Sequence, residues 1–246
     1  MVVLALLPSL LSMSQQDIVI KIFQFAILVF ALSLHEAAHA WMASRLGDQT
    51  ARMLGRVTLN PIKHIDPIGT VLIPLAMLFL PGYGRFLIGW ARPTPVNTRN
   101  FKRITRDDIL TTLAGPVSNL SAALAATIAL IVLAKSSAVG TQAVHALAGG
   151  PVNQDLMTTS PVIFPMAIIL YLGLEVNLLL AVFNLLPIPP LDGSHIFRHM
   201  LPYNALRIYD SLGMIGLILI LFVGAPVIMF FVGPALALIN AVLLSL

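Results

Sequence analysis

The sequence predicts an all-α polytopic membrane protein of about six transmembrane helices, with a re-entrant or extended membrane-embedded segment near residues 84–97. Three observations predict it. The 246 residues are 58% hydrophobic and only 10% charged, against about 25% charged in a soluble domain. Mean hydropathy is +0.94. The charges are also bunched: residues 45–108 hold 14 of the 24, and residues 109–134 and 211–246 hold none. Charge-free apolar runs of that length are membrane spans, because a helix needs about 20 apolar residues to cross the hydrocarbon core. The same figures exclude a disordered chain. A formal net charge of only +4 excludes nucleic acid as a partner. Cysteine is absent, which removes disulfides, thiolate metal ligands and thiol nucleophiles.

Taken in order, the first dozen residues are apolar but lack a basic leader and a small-residue cleavage site, so they read as a retained interfacial segment. Spans are predicted at residues 17–44, 68–81, 107–134, 161–186 and 204–223. A sixth follows Gly224-Ala225-Pro226. The fourth is ended by Pro187, Pro189 and Pro190. No stretch is left for a separate soluble domain, so residues 1–246 read as one integral-membrane domain. Ten of the 14 basic residues lie between Arg45 and Arg106, whereas the loop after the third span has only Lys135. The basic loops are therefore expected in the cytoplasm of a multi-pass cell-membrane protein. Basic residues flank the short second span on both sides, which one crossing cannot satisfy. The chain must re-enter or return in extended form through residues 84–97, and such backbone is tolerated only inside protein or beside a wet cavity.

The first span carries Leu34-His35-Glu36-Ala37-Ala38-His39. Four residues apart on a helix, His35 and His39 project from one face and can meet one metal ion. Glu36 lies about 100° around the helix from His35, beside the metal, where it can take a proton from water. Zinc in catalytic sites has three protein ligands and keeps one position for water. Asp192, at the end of the fourth span and at a similar expected depth, is the candidate third ligand. Its competing reading is the N-cap of a short helix starting at Gly193. His195 and His199 form a second i,i+4 pair but have no Glu beside them.

These motifs resemble the site-2 protease family of intramembrane zinc metalloproteases, in a minimal form without PDZ or CBS domains. The resemblance rests on His35-Glu36-Ala37-Ala38-His39, Asn60-Pro61-Ile62-Lys63-His64 and Gly89-Trp90-Ala91-Arg92-Pro93-Thr94-Pro95-Val96-Asn97. It rests also on Ala114-Gly115-Pro116-Val117-Ser118-Asn119 and on Phe183-Asn184-Leu185-Leu186-Pro187 leading to Leu191-Asp192-Gly193. It implies one zinc ion on His35, His39 and Asp192, with Glu36 catalytic and an Asn near the active site at position 119.

The remaining candidates follow from position. Asn119 is expected at the depth of the zinc pair, where its amide could bond an oxyanion or serve a contact between helices. Trp90, Pro93, Pro95 and Asn97, on the non-helical segment, and Asn184 are candidate substrate contacts. Asn177 shares a helix face with Asn184. His64 and Asp66 read as loop contacts. Glu175, in the middle of the fourth span, has no assigned role. The expected function is hydrolysis of peptide bonds in or near the membrane spans of other proteins, with the bilayer and a transmembrane substrate as partners. The alternative from another class is a zinc-binding transporter or sensor without proteolysis. Substrate identity and oligomeric state are not legible.

Overall fold

The computed structural model of the chain describes residues 15–79, 89–151, 156–211 and 213–246. The expectations for the first dozen residues and for residues 84–88 fall outside them. The chain divides into two compact units, Met1–Gly115 and Pro116–Leu246.

The first unit begins with α1 (Gln15–Leu46), whose described residues from Asp17 are long and apolar enough to cross a membrane. Gly47, with a φ of 120°, ends it in a conformation that favours glycine. The one-turn helix α2 (Thr50–Met53) follows. Asn60 then caps a short turn over Pro61–Lys63, its Oδ1 accepting from the Ile62 N–H at 3.1 Å. Asp66 caps the next element, accepting from the N–H groups of Ile68 at 3.0 Å and Gly69 at 2.7 Å. That element opens as a π-helical stretch, Pro67–Leu72, and continues as α3 (Ile73–Phe79). It is a short helical stretch where the sequence suggests a span, and it packs against α1. Residues 89–97 form neither helix nor strand.

The long helix α4 (Ile104–Ser136) carries the boundary between the units and holds Pro116 within it. The second unit continues with α5 (Ala138–Leu147), α6 (Leu156–Thr159) and α7 (Ile163–Asn184). After the proline-rich turn come α8 (Asp192–Arg198), α9 (Tyr203–Ser211) and α10 (Gly213–Leu244). α5 and α10 pack on α7 around a core that includes Leu130, Val144, Leu174, Leu178 and Leu243. The Tyr171 hydroxyl bonds the Asn240 amide oxygen at 3.0 Å.

No strand occurs among the described residues, as the all-α reading expects. Helices Asp17–Leu46, Ile104–Ser136 and Ile163–Asn184 are the described ones long and apolar enough to span a membrane. The predicted break at Gly224-Ala225-Pro226 does not occur. The expected fifth span divides between α9 and α10, and the 32-residue α10 carries its later part together with the sixth. Proline and glycine are tolerated inside apolar helices, where neighbours re-satisfy the freed backbone groups.

Candidate metal centre

Helical spacing brings His35 and His39 together on α1. Their rings meet edge to face with centroids 4.6 Å apart, and their Nε2 atoms stand 3.0 Å from each other. Both are more than nine-tenths buried. Two nitrogens on one tetrahedral zinc, at zinc–nitrogen distances of about 2.0–2.1 Å, lie about 3.3 Å apart. The pair is therefore close to the spacing that one ion requires.

Two features of the first unit prepare that spot. The His39 Nδ1–H donates to the backbone carbonyl of Thr111 on α4 at 2.8 Å. A carbonyl can only accept, so in the neutral ring the proton is at Nδ1 and Nε2 is left unprotonated, as a metal ligand needs. Gly115, one turn further along α4, keeps the space open. A β-carbon there would fall on His39 Nε2 and lie 2.6 Å from His35 Cε1 and 2.7 Å from His35 Nε2.

Glu36 is half-buried beside the pair. Its Oε2 accepts the backbone N–H of Thr94 at 2.7 Å, and its main-chain carbonyl accepts the Thr94 hydroxyl at 3.0 Å. Thr94 stands between Pro93 and Pro95. Neither proline has an N–H, so the one backbone donor of that tripeptide goes to Glu36.

The stretch carrying Thr94 is braced along its length. Trp90 N–H donates to the Gly69 carbonyl at 3.1 Å, and the Thr70 hydroxyl donates to the Trp90 carbonyl at 2.7 Å. The Trp90 ring fills the space that a side chain at Gly69 would need. Arg92 N–H donates to the His64 carbonyl at 2.8 Å. Buried Arg56 donates to the carbonyls of Lys63 and Arg92. Burial, and then Arg92, lower the Arg56 guanidinium from its usual range, while Glu36 pulls it back up. At the far end Asn97 N–H donates to Asp48 Oδ2 at 2.7 Å. Asp48 is fully buried and also takes Asn100 Nδ2 at 2.8 Å and the Thr50 hydroxyl at 2.5 Å. Of the expected substrate contacts, Trp90, Pro93 and Asn97 are exposed on this stretch and Pro95 is half-buried.

In the second unit, Asp192 is the half-buried first residue of α8. The N-cap of that helix is Leu191, so the carboxylate enters the first turn rather than serving as the cap. Gly193 permits the turn, because a β-carbon there would strike the Leu185 carbonyl. Zinc accepts ligands of both kinds, the imidazoles that His35 and His39 offer in the first unit and the carboxylate that Asp192 offers in the second. Asn119 is fully buried and donates Nδ2 to Asn177 Oδ1 at 2.8 Å, while Asn177 donates to the Gly173 carbonyl on its own helix. Asn184 donates to the Leu180 carbonyl at 2.9 Å. His195 and His199 are exposed on α8 and at its end. His64 is buried in its loop with Nε2 2.9 Å from the Thr58 carbonyl.

Thr94, Thr111, Gly115 and Asp48 were not singled out by their sequence positions as partners of this site. Thr94 alone left a signal, as the sole N–H in a Pro-x-Pro tripeptide.

Comparison with known proteins agrees with this chemistry. The profile of peptidase family M50 matches residues 23–223. YwhC of Bacillus subtilis, which carries the name of a zinc metalloprotease, is 40% identical over 71% of this chain and 67% of its own length. The Rip2 proteins of Mycolicibacterium smegmatis and Mycobacterium tuberculosis, named likewise, are each 31% identical. The match takes in 67% and 66% of this chain and 52% and 51% of theirs. The chain thus spans about half the length of the Rip2 proteins. No solved structure matches it significantly.

Proposed function

From its membership in peptidase family M50, the site-2 protease family, to which this chain belongs, we propose that it is an intramembrane zinc endopeptidase. It cleaves peptide bonds in or beside the membrane-spanning segments of other proteins. One observation carries the reading: two buried imidazoles converge within 3.0 Å on a spot that Gly115 leaves open, with Glu36 held beside them.

By the family reading His35, His39 and Asp192 would hold one zinc ion. When bound, such an ion polarises the scissile carbonyl and lowers the pKa of a water toward about 7. Glu36 takes the proton of the attacking water and returns it to the leaving amine nitrogen. The Thr111 carbonyl keeps His39 in its ligating tautomer, and Gly115 keeps side-chain bulk out. Asn119 adds an amide near the reacting carbonyl. A transmembrane helix hides its carbonyls in its own hydrogen bonds, so the substrate unwinds locally. It then lies along residues 89–97, whose carbonyls accept the freed N–H groups. Trp90, Pro93, Pro95, Asn97 and Asn184 contact it. The basic loops face the cytoplasm.

Glu36→Gln tests this in reconstituted vesicles with zinc quantified. Retained zinc with cleavage abolished supports the protease. Cleavage at the parent rate overturns it, and undiminished zinc flux across the vesicle by the variant favours a transporter instead.

A further inference from the structure

We propose that Thr94 is a positioning residue for Glu36, so that the extended stretch which receives substrate also sets the orientation of the general base. This rests on the protease reading above. Thr94 holds Glu36 at two points, the carboxylate by its N–H and the main chain by its hydroxyl, at 2.7 and 3.0 Å. Two contacts from one residue fix the side chain relative to the helix that bears it. They occupy Oε2 and leave Oε1 for the proton. Pro93 and Pro95 limit the φ angles on either side of Thr94, so its N–H has little freedom to turn away.

The stretch is anchored on both flanks of this contact, by Trp90 and Arg92 to the segment 64–70 and by Asn97 to Asp48. A strand laid along it bears on the same backbone that aims Glu36. The base is thereby aligned by the element that also binds the chain to be cut. Such coupling requires no contact between Thr94 and the metal.

The test compares Thr94→Val, which keeps shape and loses the hydroxyl, with Thr94→Ser, which keeps the hydroxyl. The probe is a donor- and quencher-labelled single-span peptide with a central Asn-Gly pair, in vesicles with the full chain. Thr94→Val lowers kcat roughly tenfold with KM and zinc content unchanged, and Thr94→Ser restores kcat. A second readout does not depend on turnover. Amide exchange of the peptide covering residues 90–97 speeds up in Glu36→Ala, which removes the acceptor of the Thr94 N–H. Parent-like kcat in Thr94→Val, a rise in KM or loss of zinc in its place, equal defects in both Thr94 variants, or unchanged amide exchange in Glu36→Ala each overturns the proposal. Failure of the protease reading shows separately, as parent-rate cleavage by Glu36→Gln.

Discussion

The imidazole of His39 on α1 donates its Nδ1–H to the main-chain carbonyl of Thr111 on α4, across 2.8 Å and 72 positions of sequence. Most ligating histidines pass their second proton to a carboxylate, carbonyl or water, and that partner orients the ring and sets its tautomer. Here the partner is backbone. It lies on α4 five residues before Pro116. No side chain at position 111 is needed for the bond, so its place cannot be inferred from the residue there.

Gly115→Ala places a methyl group on the ring nitrogens of both histidines. Backbone on one side and two packed imidazoles on the other leave it little room. We expect zinc affinity to fall at least about tenfold, measured by competition with a chromophoric chelator. Helix content by circular dichroism stays that of the parent. Parent-like zinc affinity would show that the ion sits elsewhere.

Asp48 makes the stability of the first unit depend on acid. Burial alone would raise its carboxyl, but the hydrogen bonds from Thr50, Asn97 and Asn100 outweigh it and hold the group below its ordinary 3.8. A carboxyl lowered in the folded state adds stability that is present above its unfolded value. That stability is lost as pH falls below 3.8 through the folded value. Asp48→Asn turns one acceptor oxygen into a donor, and costs about 1–3 kcal/mol at neutral pH. Thermal unfolding in detergent between pH 7 and pH 3 checks this. Below pH 3.8 the parent loses stability more steeply than the variant.

Asn119 and Asn177 share a buried amide hydrogen bond of 2.8 Å. A double-mutant cycle to alanine is expected to return a coupling of about 0.6–1.7 kcal/mol, the range of such pairs between membrane helices. Steric trapping or reversible unfolding in mixed micelles supplies the measurement. If the amide of Asn119 also serves the reaction, Asn119→Ala loses more activity than Asn177→Ala at matched stability.

The centre of this site was legible because its signal is periodic. His35 and His39 are separated by four residues in an apolar segment, and a helix converts that spacing into one shared face. The supporting parts were not legible, for three physical reasons. Thr111 acts wholly, and Thr94 in its bond to the Glu36 carboxylate, through backbone groups that every residue type except proline at the donor position possesses. Gly115 acts through the absence of a side chain. Asp48 collects donors from residues 50, 97 and 100, which no local pattern links. Gly224-Ala225-Pro226 breaks a helix in water, but α10 runs through it, so the boundary between the last two expected spans does not appear. His64 and Asp66 took the loop roles that their polar surroundings suggested.

The two prolines beside Thr94 have an effect on traffic between chains as well. Between Trp90 and Asn97 the N–H groups of Trp90, Arg92, Thr94 and Asn97 are already given to acceptors within the protein. Pro93 and Pro95 have none to give. Among the described residues no acceptor meets the N–H of Ala91 or Val96, so the stretch is rich in carbonyls and poor in donors. Two copies of it cannot zip together, because each needs what the other lacks, and an exposed edge is thereby kept from self-association. An unwinding helix frees N–H groups and carbonyls in equal number, and this stretch can take up the N–H groups. The edge is thus a one-way hydrogen-bond acceptor: inert toward its own kind and open to the N–H groups of a chain that has just lost its helix.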